Sequence, residues 1–320
     1  MTGPFHSGHD RAFREWRAAL SGPRLHHGWL LAGRRGLGKV AFALSAAREL
    51  VAVEGTHQPK DHPDILLLTH LPKDEKEERK RNEGKPFELK RNITVGQIRE
   101  MQQRLTTRPT LGPRRAIVIP AADDLEKNAA NALLKSLEEP PAGTFFLLVT
   151  HRPGRLLPTI RSRCRLLGFS RATDEEVGQY LETTAPKTSP DIRSLAVRAA
   201  EGSPGVALEF VEQDLAPLHR LMLEILGKGD AGFALRGALA DAIGQRPTRE
   251  RQLAAIELAR SVVGREMRVA AKRRLPGIIH AHSELNRLSA QAPTYNFDAG
   301  LLVMEIGTLL ASAAAPREMA

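Results

Sequence analysis

The sequence is poor in cysteine and has no long hydrophobic run. A single cysteine, Cys164, stands among 320 residues, which excludes an internal disulfide framework and any zinc site built from four cysteines. No window of about 18 apolar residues occurs, and residues 1–11 show no apolar stretch behind a basic end. These absences predict a protein that neither spans a membrane nor is secreted, and a cytoplasmic location fits the unpaired thiol.

Positive charge predominates among the ionisable side chains. Lysine and arginine number 47 against 37 aspartates and glutamates, which gives a net charge of +10 and an isoelectric point near 10.1. Such a balance favours a polyanionic partner such as nucleic acid or nucleotide, although a merely soluble basic protein has the same composition. The length predicts roughly two or three domains.

A glycine-rich loop follows the first apolar strand. Residues Trp29–Ala32 predict the strand, and a helical segment follows the loop. The loop has the spacing of a phosphate-binding P-loop, with Gly33, Gly36, Gly38 and Lys39 at its key positions. Glycines in such a loop let backbone N–H groups close around phosphates, while the lysine ammonium contacts the outer phosphates. The sequence therefore predicts a nucleotide-binding type of loop.

Two places in this pattern lack the groups that metal-dependent hydrolysis needs. Val40 stands where a serine or threonine hydroxyl would bind magnesium. The strand Ala116–Ile119 is followed by Pro120 and Ala121, where a P-loop ATPase carries an acid for the metal and usually a glutamate for the attacking water. The acids at 123–124 are expected to complement the dipole at a helix start. The sequence thus predicts no ATP hydrolysis by the isolated chain, and leaves open whether the loop binds a nucleotide or phosphate or stays empty.

Two unusual phrases flank a buried strand in the middle of the chain. The first, Asn131–Pro141 (NALLKSLEEPP), predicts a helix that its two prolines end. The strand Thr144–Thr150 follows, and then the second phrase, Arg161–Cys164 (RSRC). The arginines at 161, 163 and 165 alternate, so in an extended segment they would share one face. The arginine cluster alone does not distinguish a phosphate-directed side chain from a solvated one.

The segment between the P-loop helix and the next helix is strongly charged. From Lys73 to Glu83 ten of eleven residues are charged, five basic and five acidic. A nearly neutral run of this kind cannot form a core and predicts a mobile surface excursion. Three nearby histidines, His57, His62 and His70, are expected to be loop residues rather than metal ligands.

The second half of the sequence is predicted to be helical. Thr173 and Glu176 have the spacing of a capping box that opens a helix. From Leu215 onward helices are predicted nearly throughout, with breaks at glycine and proline. The basic stretch 272–274 is a candidate nucleic-acid or partner face, or simply a solvated helix side.

These segments together resemble the AAA+ clamp-loader family of bacterial DNA polymerase III. The resemblance covers about residues 5–215 and is carried by these segments: Leu25–Lys39, His62–Asp64, Ile93–Glu100, Asn131–Pro141, Leu157–Cys164 and Gly202–Gly205. Hydrolysing members of this family have an acid pair where this chain has Pro120 and Ala121, and a sensing arginine where it has Gly205. The resemblance therefore implies a non-hydrolysing subunit.

The resemblance also implies roles for individual residues. Arg163, in the motif formed with Ser162 and Cys164, is expected to reach the ATP held by a neighbouring motor subunit and so to act in trans. A permanently charged planar guanidinium suits phosphate oxygens. Thr150 matches the family's first sensor position, and Cys164 is expected to be a small buried group. Many relatives carry a four-cysteine zinc module near residues 57–62, which this sequence cannot build, so neither zinc nor another metal is expected.

The expected fold is an α/β P-loop AAA+ core at 1–169, a small helical lid at 170–214 and an all-helical collar, or oligomerisation domain, at 215–320. The expected function is to help load the sliding clamp onto primed DNA, as part of the DNA polymerase III holoenzyme. The implied partners are motor subunits of the gamma/tau type, a delta subunit, the clamp and, through the complex, DNA. No cofactor is required by this chain, because the ATP belongs to the neighbour's site.

Two other functions are compatible with the residues. One is an active AAA+ ATPase in which Val40 is tolerated and Asp123 acts as a displaced metal ligand. The other is a freestanding nucleic-acid-binding module whose basic surface is the whole function. ATP hydrolysis by the isolated chain would identify the first, and tight salt-dependent DNA binding by the chain alone would identify the second.

Overall fold

The fold is described from a computed structural model that covers residues 10–85, 87–292 and 297–314. The chain divides into two compact units, and the boundary between them lies between Ala172 and Thr173. No helix within the described ranges is both long enough and apolar enough to cross a membrane.

A parallel sheet forms the centre of the first unit. Its strands, as far as the described residues show, are β1 (Gly28–Ala32), β2 (Ile65–Leu67), β3 (Arg115–Ile119), β4 (Thr144–Thr150) and β5 (Arg165–Gly168). They lie in the order β2-β3-β4-β1-β5, and every pairing is parallel. Such a sheet is covered by helices on both faces, so its central strands are continuous apolar runs rather than alternating ones.

Helices pack on the two faces of this sheet. The helices of the first unit are α1 (Asp10–Leu20), α2 (Lys39–Val51), α3 (Glu75–Asn82), α4 (Val95–Arg104), α5 (Lys127–Glu138) and α6 (Pro158–Ser162). Successive side chains of β1 point to opposite faces. Trp29 therefore joins one core, with Trp16 of α1 and Phe42 of α2. Leu30 joins the other core, with Ile98 of α4 and Leu133 of α5. The α/β core predicted from the sequence is confirmed.

The carboxyl ends of three neighbouring strands meet at one edge of the sheet. Ala32 at the end of β1 is paired with Thr150 at the end of β4, and Ile119 at the end of β3 is paired with Leu148 of β4. The P-loop, the threonine predicted as a sensor and the Pro120 turn therefore lie at the same edge, which is where open α/β sheets bind ligands.

The charged segment after β2 is mostly exposed, as expected, but it contains a helix that the prediction of a mobile surface excursion from Lys73 to Glu83 did not include. Asp74 caps α3 by accepting a hydrogen bond from the Glu77 backbone N–H at 3.0 Å. The buried Glu77 carboxylate binds Lys80 at 2.7 Å and the Glu88 backbone N–H at 2.7 Å. The helix cap and the ion pairs between residues three positions apart thus stabilise a short helix that the charge composition did not indicate.

The described residues of the second unit form helices joined by short connections. Its helices are α7 (Asp174–Thr184), α8 (Pro190–Ala200), α9 (Pro204–Glu212), α10 (Ala216–Lys228), α11 (Ala234–Ile243), α12 (Arg249–Val269), α13 (Leu275–Gln291) and α14 (Ala299–Ser312). The capping box predicted at Thr173 and Glu176 is present at the start of α7. The basic stretch 272–274 forms a 3-10 turn between α12 and α13.

Arg236 forms a buried ion pair and links two helices of this unit. The Arg236 guanidinium on α11 binds the Asp230 carboxylate at 3.0 Å and the Thr308 hydroxyl of α14 at 3.2 Å. It passes so close to α14 that a Cβ added to Gly307 would lie 2.5 Å from the Arg236 side chain. Glycine at 307 thus lets α14 approach α11.

Candidate functional site

The glycines of the P-loop occupy conformations that other residues rarely adopt. Gly36 and Gly38 have positive φ angles of 78° and 72°, which lie in the left-handed region. A Cβ on Gly33 would lie 2.8 Å from the Phe169 carbonyl oxygen, just after β5. The loop therefore has the backbone shape that its glycine spacing predicts, and it delivers the chain directly into α2 at Lys39.

Lys39 is buried and bonded to its own loop. Only 2% of the residue is exposed, and Nζ donates to the carbonyl oxygens of Gly33 at 2.7 Å and Arg34 at 2.5 Å. Burial lowers the pKa of Lys39 to about 8, against an opposing electrostatic effect of Asp123. The ammonium group thus binds backbone carbonyls in the position from which a P-loop lysine contacts phosphate.

Val40 follows Lys39 in the first turn of α2 and is partly exposed. Its isopropyl group carries no oxygen, so this turn has no side-chain ligand for magnesium where P-loop ATPases have a hydroxyl. At the end of β3, which β4 separates from β1, the chain passes into Pro120 and Ala121, neither of which has an acidic side chain.

Asp123 lies beside the predicted sensor Thr150. The Thr150 hydroxyl donates to Asp123 Oδ1 at 2.6 Å, and the His151 backbone N–H donates to Oδ2 at 2.6 Å. Asp123 stands in the first turn of a short 3-10 helix at 122–124, so the predicted position at a helix start is present, and its carboxylate also binds the end of β4. Its carboxylate is occupied by protein donors, which leaves it poorly placed to be a displaced metal ligand.

His151 adds a polar ring to the same edge of the sheet. Desolvation, together with the positive charge of Lys39, lowers the pKa of His151, while Asp123 opposes the shift. Nothing in the sequence had singled out this histidine. Its position one residue after the sensor threonine was the available signal.

The segment that carries the three arginines is not extended. Residues 158–162 form α6, which begins with a proline in its first turn, and Arg163 is the residue that ends it. Arg161 therefore belongs to the last turn of α6, while Arg165 is the first residue of β5. The shared face that period-two alternation would give in an extended segment is therefore not expected here, because Arg161 lies in a helix and Arg165 in a strand.

Arg163 and Arg165 have different partners. The Arg163 Nη2 lies 2.6 Å from Glu138 Oε1, at the end of α5, and Nη1 donates to the Thr159 carbonyl oxygen at 3.0 Å. Arg165 binds Glu15 at 3.3 Å and lies over the Trp29 ring at 5.0 Å from its centre. Arg165 therefore helps to attach α1 to the sheet, whereas Arg163 contacts α5 and α6.

The other two residues of the SRC motif, Ser162 and Cys164, have roles in the local structure. The Ser162 hydroxyl donates to the Thr159 carbonyl oxygen at 3.0 Å. Burial raises the pKa of Cys164 to about 12, so the side chain stays an uncharged thiol and is not a nucleophile at neutral pH.

The predicted site residues form two groups at opposite ends of β1. The P-loop, with Lys39, leaves the carboxyl end of β1. At the other end, a Cβ on Gly28 would lie 3.0 Å from the Arg163 carbonyl oxygen. The five residues of β1 separate the ends by roughly 13 Å at the usual rise of a strand. Arg163 and the P-loop of the same chain are therefore not brought together.

The family model for "DNA polymerase III, delta subunit" matches residues 8–173, just over half of the chain. The chain belongs to this family of clamp-loader subunits. The resemblance to clamp-loader subunits predicted from the sequence is confirmed.

Individual proteins similar to this chain are also subunits of DNA polymerase III. DNA polymerase III subunit delta' of Escherichia coli (strain K12) is 31% identical over 215 residues, which are 63% of this chain and 59% of that protein. The tau/gamma subunit of Haemophilus influenzae is 31% identical over 208 residues, or 62% of this chain and 28% of that protein. The matches thus span little more than half of the first relative and about a quarter of the second.

Among solved structures, the chain was matched to a gamma-subunit-related protein of DNA polymerase III from Thermotoga maritima. It is 18% identical, the alignment covers 94% of this chain and 99% of that chain, and the TM-score is 0.48.

Proposed function

We propose that this chain is a non-hydrolysing, delta-prime-type subunit of a clamp loader and that it supplies Arg163 to an ATP bound by a neighbouring subunit. The observation that carries the proposal is the placement of Arg163 at the end of β1 opposite its own P-loop. An arginine there has no nucleotide site of its own chain within reach, and a phosphate-directed role requires a second subunit.

The contacts of Arg163 suit such a role. Its side chain is about one-third exposed, so its charge is accessible, while Glu138 and the Thr159 carbonyl oxygen fix the direction of the guanidinium. An arginine delivered in trans stabilises the charge that develops on a transferring phosphoryl group. This role requires no metal, zinc or bound cofactor in the chain that donates the arginine.

The absence of hydrolysis by the chain itself rests on side-chain chemistry. Val40 offers magnesium no oxygen, and Pro120 and Ala121 provide no carboxylate. Asp123 is occupied by the Thr150 hydroxyl and the His151 N–H. Whether the loop binds nucleotide without hydrolysing it is a separate matter, and binding there would require Lys39 to exchange its two carbonyl partners for phosphate oxygens.

The partners proposed for this subunit follow from the family. They are motor subunits of the gamma/tau type, a delta subunit, the sliding clamp and primed DNA held by the whole assembly, in the cytoplasm. The helical second unit, which includes the predicted collar at 215–320, is the part proposed to hold the subunits together.

Substitution of the three arginines tests the proposed function. Arg163→Ala, Arg161→Ala and Arg165→Ala are each reconstituted with wild-type motor and delta subunits, and DNA-stimulated ATPase and clamp loading are measured. An arginine finger that acts alone is worth roughly 10³- to 10⁵-fold in rate, but the assembly has further ATP sites, so we expect a smaller loss for Arg163→Ala. Arg161→Ala should be much milder, and Arg165→Ala should mainly lower the melting temperature because of its contacts with Glu15 and Trp29. Unchanged loading by Arg163→Ala, or equal damage from all three substitutions, contradicts the proposal.

A further inference from the structure

An ion pair connects the two unusual phrases of the sequence. Glu138, in the last turn of α5 within NALLKSLEEPP, binds Arg163 of the RSRC phrase at 2.6 Å. Twenty-four intervening residues include all of β4 and α6, so the two side chains meet because of the fold and not because they are close in sequence.

Both ends of this ion pair are attached to fixed backbone. The Leu137 carbonyl oxygen, one residue before Glu138, lies 2.8 Å from His27 Nε2 just before β1. On the other side, the Arg163 backbone N–H donates to the Ile160 carbonyl oxygen at 3.2 Å, and Ile160 is fully buried. The separation between the two Cα positions is therefore set by packed elements, and the ion pair selects one direction for the long arginine side chain.

The pair leaves part of the guanidinium available. Arginine has five N–H donors in a planar fork. In Arg163, Nη2 contacts Glu138, and Nη1 donates to the Thr159 carbonyl oxygen and the Ser162 hydroxyl. The Glu138 and Arg163 side chains are 48% and 34% exposed. An exposed pair of this kind is weak in itself, so it orients the charge without holding it against a phosphate that approaches from a second subunit.

We propose that Glu138 is a positioning residue that holds Arg163 in the direction required to reach a neighbour's ATP. This inference rests on the proposed function of Arg163. Its physical basis is preorganisation: a flexible side chain that is already aligned loses less conformational freedom when the reaction begins. Glu138 itself contacts no substrate.

A double-mutant cycle in the reconstituted complex tests the inference. Glu138→Ala should lower the DNA-stimulated kcat by about twofold, the scale of an exposed ion pair, with KM for ATP and subunit assembly unchanged. Glu138→Gln keeps an acceptor oxygen and should restore part of the loss. Glu139→Ala is the matched control, because Glu139 is the exposed carboxylate next in sequence and should behave as the wild-type chain.

The double variant separates positioning from a general structural effect. If Glu138 acts through Arg163, then Glu138→Ala combined with Arg163→Ala should be no slower than Arg163→Ala alone. Additive losses, or a Glu138→Ala complex that hydrolyses ATP at the wild-type rate or faster while Arg163→Ala is impaired, would overturn the role of Glu138 and leave the finger assignment intact. A wild-type rate for Arg163→Ala itself would instead overturn the proposed function, and this inference with it.

Discussion

The Lys39 ammonium lies 2.7 Å from the carbonyl oxygen of Gly33, six residues earlier in the chain. The backbone carbonyl groups of the P-loop thus bind the loop's own lysine. Burial of a cation costs free energy unless a carboxylate or several strong acceptors compensate. Burial accordingly lowers the pKa of Lys39 to about 8, although the charge of Asp123 opposes the shift.

The first prediction concerns hydrolysis by the isolated chain. We expect no ATPase activity above background, because Val40, Pro120 and Ala121 remove the metal ligands and the acid that orients water. Val40→Thr alone should not create activity, since the acids at the end of β3 are still missing. Steady-state phosphate release is the measurement. Turnover on the order of 1 per second that Lys39→Ala abolishes would contradict the prediction.

The second prediction is that removing the Lys39 charge stabilises the protein. Lysine normally titrates near 10.5, so a folded pKa of about 8 corresponds to an unfavourable effect of up to about 3 kcal/mol on the charged form at neutral pH. Lys39→Met keeps most of the apolar stem, and we expect it to raise the free energy of unfolding by about 1–3 kcal/mol. Urea unfolding measures this change, with Lys187→Met, at an exposed loop position, as the control. A loss of stability would mean that the two carbonyl contacts outweigh the cost of burial.

The third prediction concerns the anchor of Thr150. Asp123→Ala leaves a fully buried hydroxyl and the His151 N–H without their acceptor, and we expect it to destabilise the protein by about 1–3 kcal/mol. Asp123→Asn keeps one acceptor and should cost less. The control is Asp124→Ala, whose carboxylate is half-exposed and contacts His70 at 3.3 Å. Thermal unfolding of the three variants should rank them with Asp123→Ala lowest.

The fourth prediction is a pH dependence that arises in the second unit. Burial, followed by the positive charges of Arg265, Arg198 and Arg220, lowers the pKa of His219 to about 4, from an ordinary value of 6.5. The unfolded chain therefore binds this proton at a higher pH than the folded chain does. Stability from this group is complete above about pH 6.5 and falls by about 3 kcal/mol as the pH drops towards 4.

Replacement of this histidine provides the check. Urea unfolding between pH 4 and 7 should be less pH-dependent in His219→Leu than in the wild-type protein, because leucine takes up no proton. His57→Gln, at an exposed position, should leave the dependence unchanged. Identical slopes for His219→Leu and the wild-type protein would show that His219 does not stay neutral on folding.

The fifth prediction concerns assembly. Residues 173–320 form a compact unit of their own, and we expect them to account for most of the binding to partner subunits. Expression of this unit and a binding assay with the partner subunits provide the test. If residues 1–172 bind equally well without it, the oligomerisation role assigned to 215–320 is wrong.

Local signals predicted much of this fold. The strand, glycine loop and helix around Lys39, the end of α5 before Pro140, and the capping box at Thr173 all depend on residues within a few positions of one another. Apolar runs also identified β3 and β4, because buried parallel strands are hydrophobic on both faces. These features need no knowledge of the tertiary structure.

Contacts between segments that are distant in sequence could not be predicted from such local signals. The Glu138–Arg163 and Asp123–Thr150 pairs join residues 25 and 27 positions apart, and their geometry depends on strand order. Two helices that were not predicted do have local signals in the sequence. Proline at 158 favours the first turn of a helix, which is α6. Asp74 is a favourable helix N-cap, and oppositely charged residues three positions apart follow it in α3.

Because Arg163 lies at the end of β1 opposite the P-loop, the subunit has two different sides, one with the arginine and one with the loop. When chains of this fold stand side by side with one chain's arginine at the next chain's P-loop, each chain supplies an arginine to one neighbour and accepts an arginine from the other. A chain with the arginine but without a metal ligand in its loop can supply an arginine, but it has no hydrolysing ATP site of its own for a neighbour's arginine to act on. Under the proposed function such a chain belongs at one extremity of an open row, and its presence there determines where the sequence of ATP sites begins.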